Sequence, residues 1–594
     1  MSASQPQGVS ALWRGDWRDE IWHRLDQAWD VIVIGGGIAG AGVLREATRL
    51  GLRTLLVEQR DFGWGTSSRS SKLIHGGLRY LKQGKLRLTR SSIRARERLL
   101  QDGPGLIDPL GFLLTIHKGD RPGRWAFAAG LSVYDLLALR WDHRYYRRES
   151  FEMMAARLAS ADLKGGYRSG DAQTDDARLV LRVIREAVAG GGAAINYVAA
   201  VRLLRDRARG ERWLGVRLRD ATEPREADVH ARVVINATGA WADRLQGQAG
   251  APPQLRPLRG SHLIFPAWRL PAAQAISFLH PIDRRPVFIF PWEGITLVGT
   301  TDVDHEHSLD EEPRISPEET AYLMAAVEFL FPSLGLTLGD VIASFAGVRP
   351  VIGSGKIDPS KESRDHVIWE DDGLVTVTGG KLTTFQPIAV DTLKAVRHRL
   401  PDLPRIDSNV PVFNPVSLDW LKADVALDET ARRRLLGRYG ADAPALVAAA
   451  QPGELEPIPG TPILWAALRW AARAEGIVHL DDLLLRRVRL GLLQPQGGAA
   501  LMGDIRRICQ PELGWDDARW QAEESAYLKL CRDHYSLPDP ASVPDWKAML
   551  AQARTKRAAR RASRRRALRW SVPVGALIGS AAGGWAIARR RRRR

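Results

Sequence analysis

Residues 30–58 constrain what this chain can fold into more tightly than any other stretch. Residues 30–34 form an apolar run that reads as a buried parallel strand. Gly35, Gly37 and Gly40 follow at G-x-G-x-x-G spacing, residues 39–50 read as a helix, and 55–57 as a second strand ending in Glu58. Each glycine has a physical task. Gly35 permits the tight turn, Gly37 lets main-chain N–H groups approach a pyrophosphate, and Gly40 lets the helix pack closely on the sheet. The helix N-terminus favours phosphate charge. Glu58, 18 residues after Gly40, is placed to accept hydrogen bonds from an adenosine ribose. The expected fold is α/β, with a Rossmann-like dinucleotide-binding domain.

The residues that follow point to a flavin. Thr66, Ser67, Ser68, Ser70 and Ser71 give a hydroxyl-rich loop, continued by Lys72, Leu73, Ile74, His75, Gly76 and Gly77. An NAD enzyme releases its cofactor, whereas a retained FAD needs the chain to wrap its whole length. Two later segments suit that wrap. Residues 233–241 read as a buried strand ending in a small-residue turn that contains Thr238 and Gly239. Residues 374–384 read as a strand, the pair Gly379 and Gly380, and a helix start with Lys381, Leu382, Thr383 and Thr384. Such a helix start stabilises negative charge on a reduced flavin ring. The expected cofactor contacts are Gly35, Gly37, Gly40, Glu58, Thr66, Ser67, Ser68, Lys72, Leu73, Thr238, Gly239, Gly380, Lys381, Leu382 and Thr383. No second strand–GxGxxG–helix unit occurs, since Gly190–Gly192 follows a helix and precedes a strand. That argues against a nicotinamide partner.

These motifs carry a resemblance. IGGGIAGAG, TSSRSSKLIHGGLRYL, DDARLVL (175–181), NATGAW, GSH (260–262), GTTD (299–302), GVRP (347–350) and GGKLTT together resemble the aerobic, FAD-dependent glycerol-3-phosphate dehydrogenases. The resemblance covers 28–395 well and continues through a helical region to about 537. It implies oxidation of sn-glycerol 3-phosphate to dihydroxyacetone phosphate, with hydride passing to flavin N5 and electrons to a membrane quinone. A glycerol-3-phosphate oxidase using oxygen, and an FAD-dependent amino-acid or hydroxy-acid oxidoreductase of the same fold, are the alternatives. A homodimer is compatible with either.

The resemblance also implies a substrate pocket. Arg79, Arg349 and Lys381 match family positions around it, and a guanidinium holds phosphate oxygens in a fork. Tyr80 and Thr384 complete it. The C2 hydroxyl must lose its proton as hydride leaves carbon. His75 and His262 are the two candidate bases, because imidazole titrates near working pH. The balance leans slightly to His262, with His75 nearer the flavin. Lys381 or Arg349 would stabilise the developing carbonyl oxygen. The turn at Thr300, Thr301 and Asp302 reads as structural.

Charge is unevenly placed. The formal net charge is +18. Residues 553–594 supply fifteen of those charges and contain no acid, so the body is nearly neutral. Between the arginine blocks, 570–588 carries no charge and would be about 28 Å long as a helix, against a hydrocarbon core of about 30 Å. Gly575, Gly579 and Gly583 form a small-residue stripe, and Trp570 and Trp585 suit the interfaces. The segment is a candidate transmembrane or interfacial helix, anchoring the enzyme to the cytoplasmic face of a bilayer. No aromatic platform accompanies the arginines, which argues against specific nucleic-acid binding. Cys509 and Cys531 lack metal-ligand spacing, so no metal is expected and both read as free thiols. The N-terminus has no apolar signal core.

The domain reading follows. Residues 1–29 are a tryptophan-bearing extension. The FAD domain is discontinuous, at 30–105, 165–245 and 345–398, and 106–164 with 246–344 form a β-rich substrate or cap domain. A linker spans 399–416, a C-terminal helical domain 417–537 and a basic linker 538–569. The candidate membrane helix (570–588) and a poly-Arg tail (589–594) end the chain. Residues 125–141 are apolar but contain Asp135, and read as a helix of the fold.

Overall fold

The computed structural model describes residues 13–559 and 563, with 78–80, 82–83, 119, 121–122, 160–161, 207–211, 354–364, 401, 408, 418 and 421–426 outside the description. Two sheets organise it. In the first, five parallel strands lie in the order Leu374–Thr378, Glu226–Asn236, Trp29–Ile34, Thr54–Val57 and Ala193–Ile195. Every residue of Trp29–Ile34, Thr54–Val57 and Leu374–Thr378 is buried. That burial is why these strands read as unbroken apolar runs. The helices Ile38–Arg49, Asp176–Ala189 and Phe385–Ala395 pack in this domain, the first two against each other and the first against the third. Gly42 makes the last contact possible, since a Cβ there would lie 3.0 Å from the Phe385 ring.

The second sheet follows the order Val303–Asp304, Leu255–Pro266, Ile295–Gly299, Pro286–Trp292, Ala275–Leu279, Ile107–His117, Leu163–Thr174 and Leu73–Ile74. Ala343–Ile352 pairs along Leu255–Pro266, and Arg144–Arg147 along Leu163–Thr174. The strands expected at 262–265, 287–290 and 296–299 all lie here. The domain edges differ from those read in the sequence. Residues 165–174 and 345–352, expected in the nucleotide domain, belong to this sheet because their ladders run to Ile107–His117 and Leu255–Pro266.

The helical C-terminal domain contains Glu429–Tyr439, Trp465–Ala474, Met502–Leu513 and Asp517–His534, around a core that includes Trp470, Leu483 and Trp520. Cys509 and Cys531 are buried free thiols within it. A clasp of buried charge holds it to the nucleotide domain. The Arg487 guanidinium donates to Asp61 Oδ2 and Oδ1 at 2.6 and 2.7 Å, and Arg486 donates to the same carboxylate. Burial pushes the Asp61 carboxyl up, but the two guanidiniums outweigh it and hold the group down at about 2. Arg178 forks Glu475 at 2.6 and 2.9 Å, and Arg185 pairs with Asp442. Breaking one side of such a pair leaves a buried charge uncompensated, which costs about 3–5 kcal/mol.

Three segments read as appendages are built into the body. Trp13, Trp17, Ile21 and Leu25 of the N-terminal extension are buried in the nucleotide-domain core, and Arg18 pairs with Asp220 at 2.8 Å. The expected linker 399–416 buries Leu403, Val412 and Phe413 in the same core. The expected basic linker is helical over 546–559, buries Leu550 and pairs Arg557 with Asp120. Among the described residues no helix is long and apolar enough to cross a membrane. Residues 570–594 lie outside them.

Candidate flavin and substrate site

The three segments expected to wrap a flavin meet at one sheet edge. Ile34 is in register with Asn236, and Asn236 with Thr376, on adjacent parallel strands. The turns that follow, at Gly35–Gly37, Thr238–Gly239 and Gly379–Gly380, therefore all leave the carboxyl end of the sheet, where open α/β sheets bind ligands. Thr378 Oγ1 donates to the Gly239 carbonyl at 3.2 Å and joins two of these turns.

The residues present fit FAD. Gly40 has no room for a side chain, since a Cβ would sit 1.9 Å from the Gly35 carbonyl oxygen, and Gly35 itself has φ +111°. The helix Ile38–Arg49 has no side-chain cap at Gly37, and its Ile38 N–H donates to Ser67 Oγ at 3.0 Å. The first turn thus opens on a glycine and a hydroxyl, with no carboxylate to repel a pyrophosphate. Glu58 accepts the Gly36 and Arg60 N–H groups at 2.6 and 2.9 Å. These bonds fix the carboxylate at the turn with acceptor capacity left for ribose hydroxyls. At the other end of the site, Leu382–Thr384 forms a tight turn into the helix Phe385–Ala395, whose start has no side-chain cap. That start is electropositive.

The hydroxyl loop is held from below. Ser70 donates from N and Oγ to Asp176 Oδ2 at 2.9 and 2.8 Å. Thr66 Oγ1 donates to the Val348 carbonyl and so ties the loop to the GVRP strand. Ser68 is buried, and Leu73 pairs with Gln173 in the second sheet. Lys72 does not point where the sequence reading put it. Its ammonium is fully buried, 2.8 Å from Asp176 Oδ1 and over the Trp292 and Phe345 rings. Burial, helped by the Arg489 charge, pushes it down to about 8 against the pull of Asp176. Its side chain is a core cation and not a cofactor clamp.

The GSH, GTTD and GVRP motifs interlock. Gly260 faces Gly347, and His262 faces Gly299, across two antiparallel ladders. A Cβ at Gly260 would lie 2.2 Å from Arg349 Nη2, and one at Gly299 2.1 Å from the His262 ring. The two glycines make room for the guanidinium and the imidazole. Arg349 donates to Asp302 Oδ1 at 3.1 Å and to Thr300 Oγ1 at 3.0 Å. Thr301 Oγ1 accepts the Ser261 N–H and donates to the buried Glu319. The Thr300–Asp302 turn is the bracket that aims Arg349.

The structure separates the two histidines. His262 exposes no surface, stacks on Phe345 at 4.5 Å, and engages Ser71 Oγ through Nε2 at 2.9 Å. Burial, with the charges of Arg349 and Lys72, holds its imidazole neutral, well below the usual range. A side chain with no exposed surface is poorly placed to reach a substrate hydroxyl. His75 is half-buried at the mouth of the loop. The two candidate bases therefore differ in access, and the slight lean of the sequence reading was to the buried one, His262. Lys381 donates to Ser92 Oγ at 2.9 Å, and Thr384 Oγ1 to the Lys381 carbonyl at 3.4 Å. Arg79 and Tyr80 lie outside the described residues.

The sequence reading missed the support beneath His75. Asp171 Oδ1 accepts the Gly76 N–H at 3.2 Å and pairs with Arg96 at 3.1 Å. Arg96 also donates to Tyr134 OH at 3.1 Å. Burial pushes the Asp171 carboxyl up to about 6, against the Arg96 charge. No local pattern marks this trio, because its members come from three separate elements. Asp176 entered the sequence reading only as part of the DDARLVL motif.

Comparison with known proteins agrees with this geometry. Residues 30–386 match the family described as FAD dependent oxidoreductase, and 413–520 the C-terminal domain of alpha-glycerophosphate oxidase. The chain is similar to the aerobic glycerol-3-phosphate dehydrogenase of Bacillus subtilis, 38% identical over 63% of this chain and 68% of that one. It is 34% identical to the glycerol-3-phosphate dehydrogenase of Mycobacterium leprae over 91% of this chain and 95% of that one. The X-ray structure of the glycerol-3-phosphate dehydrogenase from Bacillus halodurans complexed with FAD superposes with a TM-score of 0.71. It covers 89% of this chain and 98% of that one at 27% identity.

The cradle makes two substitutions diverge. Gly37→Ala should fold, since its Cβ would meet only Ser67 Oγ at 3.2 Å, yet purify with at least about tenfold less FAD per protein because the methyl occupies the phosphate approach. Gly40→Ala should fail to give stable folded protein at all. The flavin-to-protein absorbance ratio and thermal melting of both variants check this.

Proposed function

We propose a function from one premise: the chain belongs to the FAD-dependent oxidoreductases and, within them, to the aerobic glycerol-3-phosphate dehydrogenases. It oxidises sn-glycerol 3-phosphate to dihydroxyacetone phosphate. Bound FAD supplies the acceptor for the C2 hydride. The chain's own residues bind, orient and deprotonate. His75 takes the C2 hydroxyl proton, being the half-buried imidazole of the pair, and the Asp171–Arg96 pair beneath Gly76 fixes its turn. Arg349 is aimed by Asp302 and Thr300 and offers a fork to phosphate oxygens. Lys381, placed by Ser92, neutralises charge developing on the C2 oxygen. Thr384 completes the pocket, and the family resemblance assigns Arg79 and Tyr80 to it as well. The observation that carries the reading is the convergence of the three glycine turns on one carboxyl edge, bound through Thr66 to the strand that bears Arg349.

The electrons leave to a membrane quinone on the cytoplasmic face of a bilayer. Two features support this acceptor. The chain has no second dinucleotide unit in its sequence. The helix Arg124–Ala138 also leaves large apolar groups in water: Trp125 is 77% exposed, Leu136 71%, and Leu139 and Trp141 just beyond it 87% and 71%. Only Leu131, Tyr134 and Asp135 of this helix are buried. Contiguous exposed apolar groups of this size mark interaction surfaces. The basic tail adds attraction to anionic headgroups, about 1 kcal/mol per cation near the surface.

His75→Gln should lower turnover of glycerol 3-phosphate with a soluble quinone analogue by about 10²-fold or more. His262→Gln should keep turnover within a few-fold and lose about 1 kcal/mol of stability with its hydrogen bond to Ser71. The reverse pattern would return the base to His262.

Deleting 570–594 should leave this turnover intact in detergent, since every assigned residue lies before 385, and should reduce the membrane-bound fraction. Complete pelleting of the shortened chain with membranes would place the anchor in the body, with the Arg124–Ala138 face first in line. Oxygen uptake that matches the quinone rate would favour an oxidase.

A further inference from the structure

We propose that the outer face of the helix Leu86–Asp102 is a second anion site, separate from the substrate pocket, that holds a multiply charged phosphate group. Arg87, Arg90, Arg94 and Arg98 recur along it at steps of three and four. At 3.6 residues per turn they fall within about 80° of the circumference and about 17 Å of length. They line a cleft of about 350 Å3 whose opposite wall includes Thr383, Gln386 and Asn409. That volume is within the range of small-ligand sites. Arg98 reaches across and donates to Asn409 Oδ1 at 2.7 Å.

The cleft is lined by four arginines and no carboxylate. Among the described residues no acid pairs with Arg87, Arg90 or Arg94. The contrast within the molecule is direct. Arg178, Arg182 and Arg185 have similar spacing on the helix Asp176–Ala189, and each is paired: with Glu475, Glu186 and Asp442. On the Leu86–Asp102 helix itself, the inward Arg96 is paired with Asp171 and Glu97. Like charges one turn apart repel and weaken a helix, so the neighbouring Arg87, Arg90 and Arg94 gain from an external anion. Guanidinium forks match phosphate oxygens geometrically, and neighbouring arginines one turn apart suit a group with two or more negative charges. The same chemistry is offered by a soluble phosphorylated compound and by an anionic phospholipid headgroup. Leu86, 51% exposed at the start of this helix, is adjacent to the row in either case. Neither His75, Arg349 nor Lys381 lines the cleft; Thr383 on its far wall is an expected cofactor contact, so the arginine row is distinct from the proposed catalytic groups but shares that wall with the flavin turn.

The test compares full-length, flavin-loaded wild type with Arg90→Gln/Arg94→Gln. Both positions are exposed, so the variant should melt with the wild type and keep its flavin content and Michaelis constant for glycerol 3-phosphate. Calorimetry with pyrophosphate at about 0.15 M salt reads the soluble source. Cosedimentation with phosphatidylglycerol–phosphatidylcholine vesicles reads the lipid source. The basic tail contributes equally to both proteins, so the difference between them is the signal. Loss of affinity of about tenfold or more for pyrophosphate alone assigns the cleft to a soluble phosphate compound. Loss of that size for the vesicles, with or without pyrophosphate, assigns it to a headgroup. Equal binding by wild type and variant in both arms overturns the proposal.

Discussion

The Asp176 carboxylate is the point on which the site depends. It exposes no surface and would be costly to bury alone. It is held by the Ser70 N–H and hydroxyl, the Lys72 ammonium and the Arg489 guanidinium. Those four donors come from the hydroxyl loop and from the C-terminal domain, and the acid itself opens the helix Asp176–Ala189. One buried charge therefore sets the loop against the nucleotide sheet and ties both to the helical domain. Asp175 beside it works in parallel. Burial pushes its carboxyl up, but Arg438, Arg489 and Lys72 outweigh that and hold it at about 2. Once the loop is fixed, Ser67 meets the dinucleotide helix, Ser71 meets His262 and Thr66 meets the strand of Arg349.

The nucleotide half of the molecule was legible because its signals are local. A buried strand, a glycine turn and a helix start are contiguous in sequence, and Gly35, Gly239 and Gly380 each follow an apolar run. Their meeting at one edge needs only the parallel register of three strands. The substrate half was legible as motifs but not as geometry. Nothing near Gly260 or Gly299 says that their missing side chains make room for Arg349 and His262, since those contacts cross between strands. Lys72 and His262 were misplaced for the same reason. A polar residue in a motif reads as a ligand contact until its burial is known. The extension 1–29, the linker 399–416 and the basic linker 538–569 read as appendages because charges and prolines interrupt their apolar residues, yet Trp13, Phe413 and Leu550 are each buried.

Charge pairing also distinguishes structure from function across the chain. The guanidiniums of Arg178, Arg185, Arg486 and Arg487 are buried, and each meets a carboxylate at close range. They clasp domains. Arg349 is half-buried, donates to Asp302 and Thr300, and is the guanidinium proposed for the phosphate dianion. The row Arg87 to Arg98 lies on the surface with no acid in its cleft.

The central claim is that this flavin edge oxidises a phosphorylated secondary alcohol. Anaerobic titration of the flavin-loaded protein, followed at the flavin absorbance band, tests it without any acceptor. The account expects sn-glycerol 3-phosphate to bleach the band and glycerol at the same concentration to leave it unchanged. A band that resists glycerol 3-phosphate but bleaches with dithionite would contradict the account.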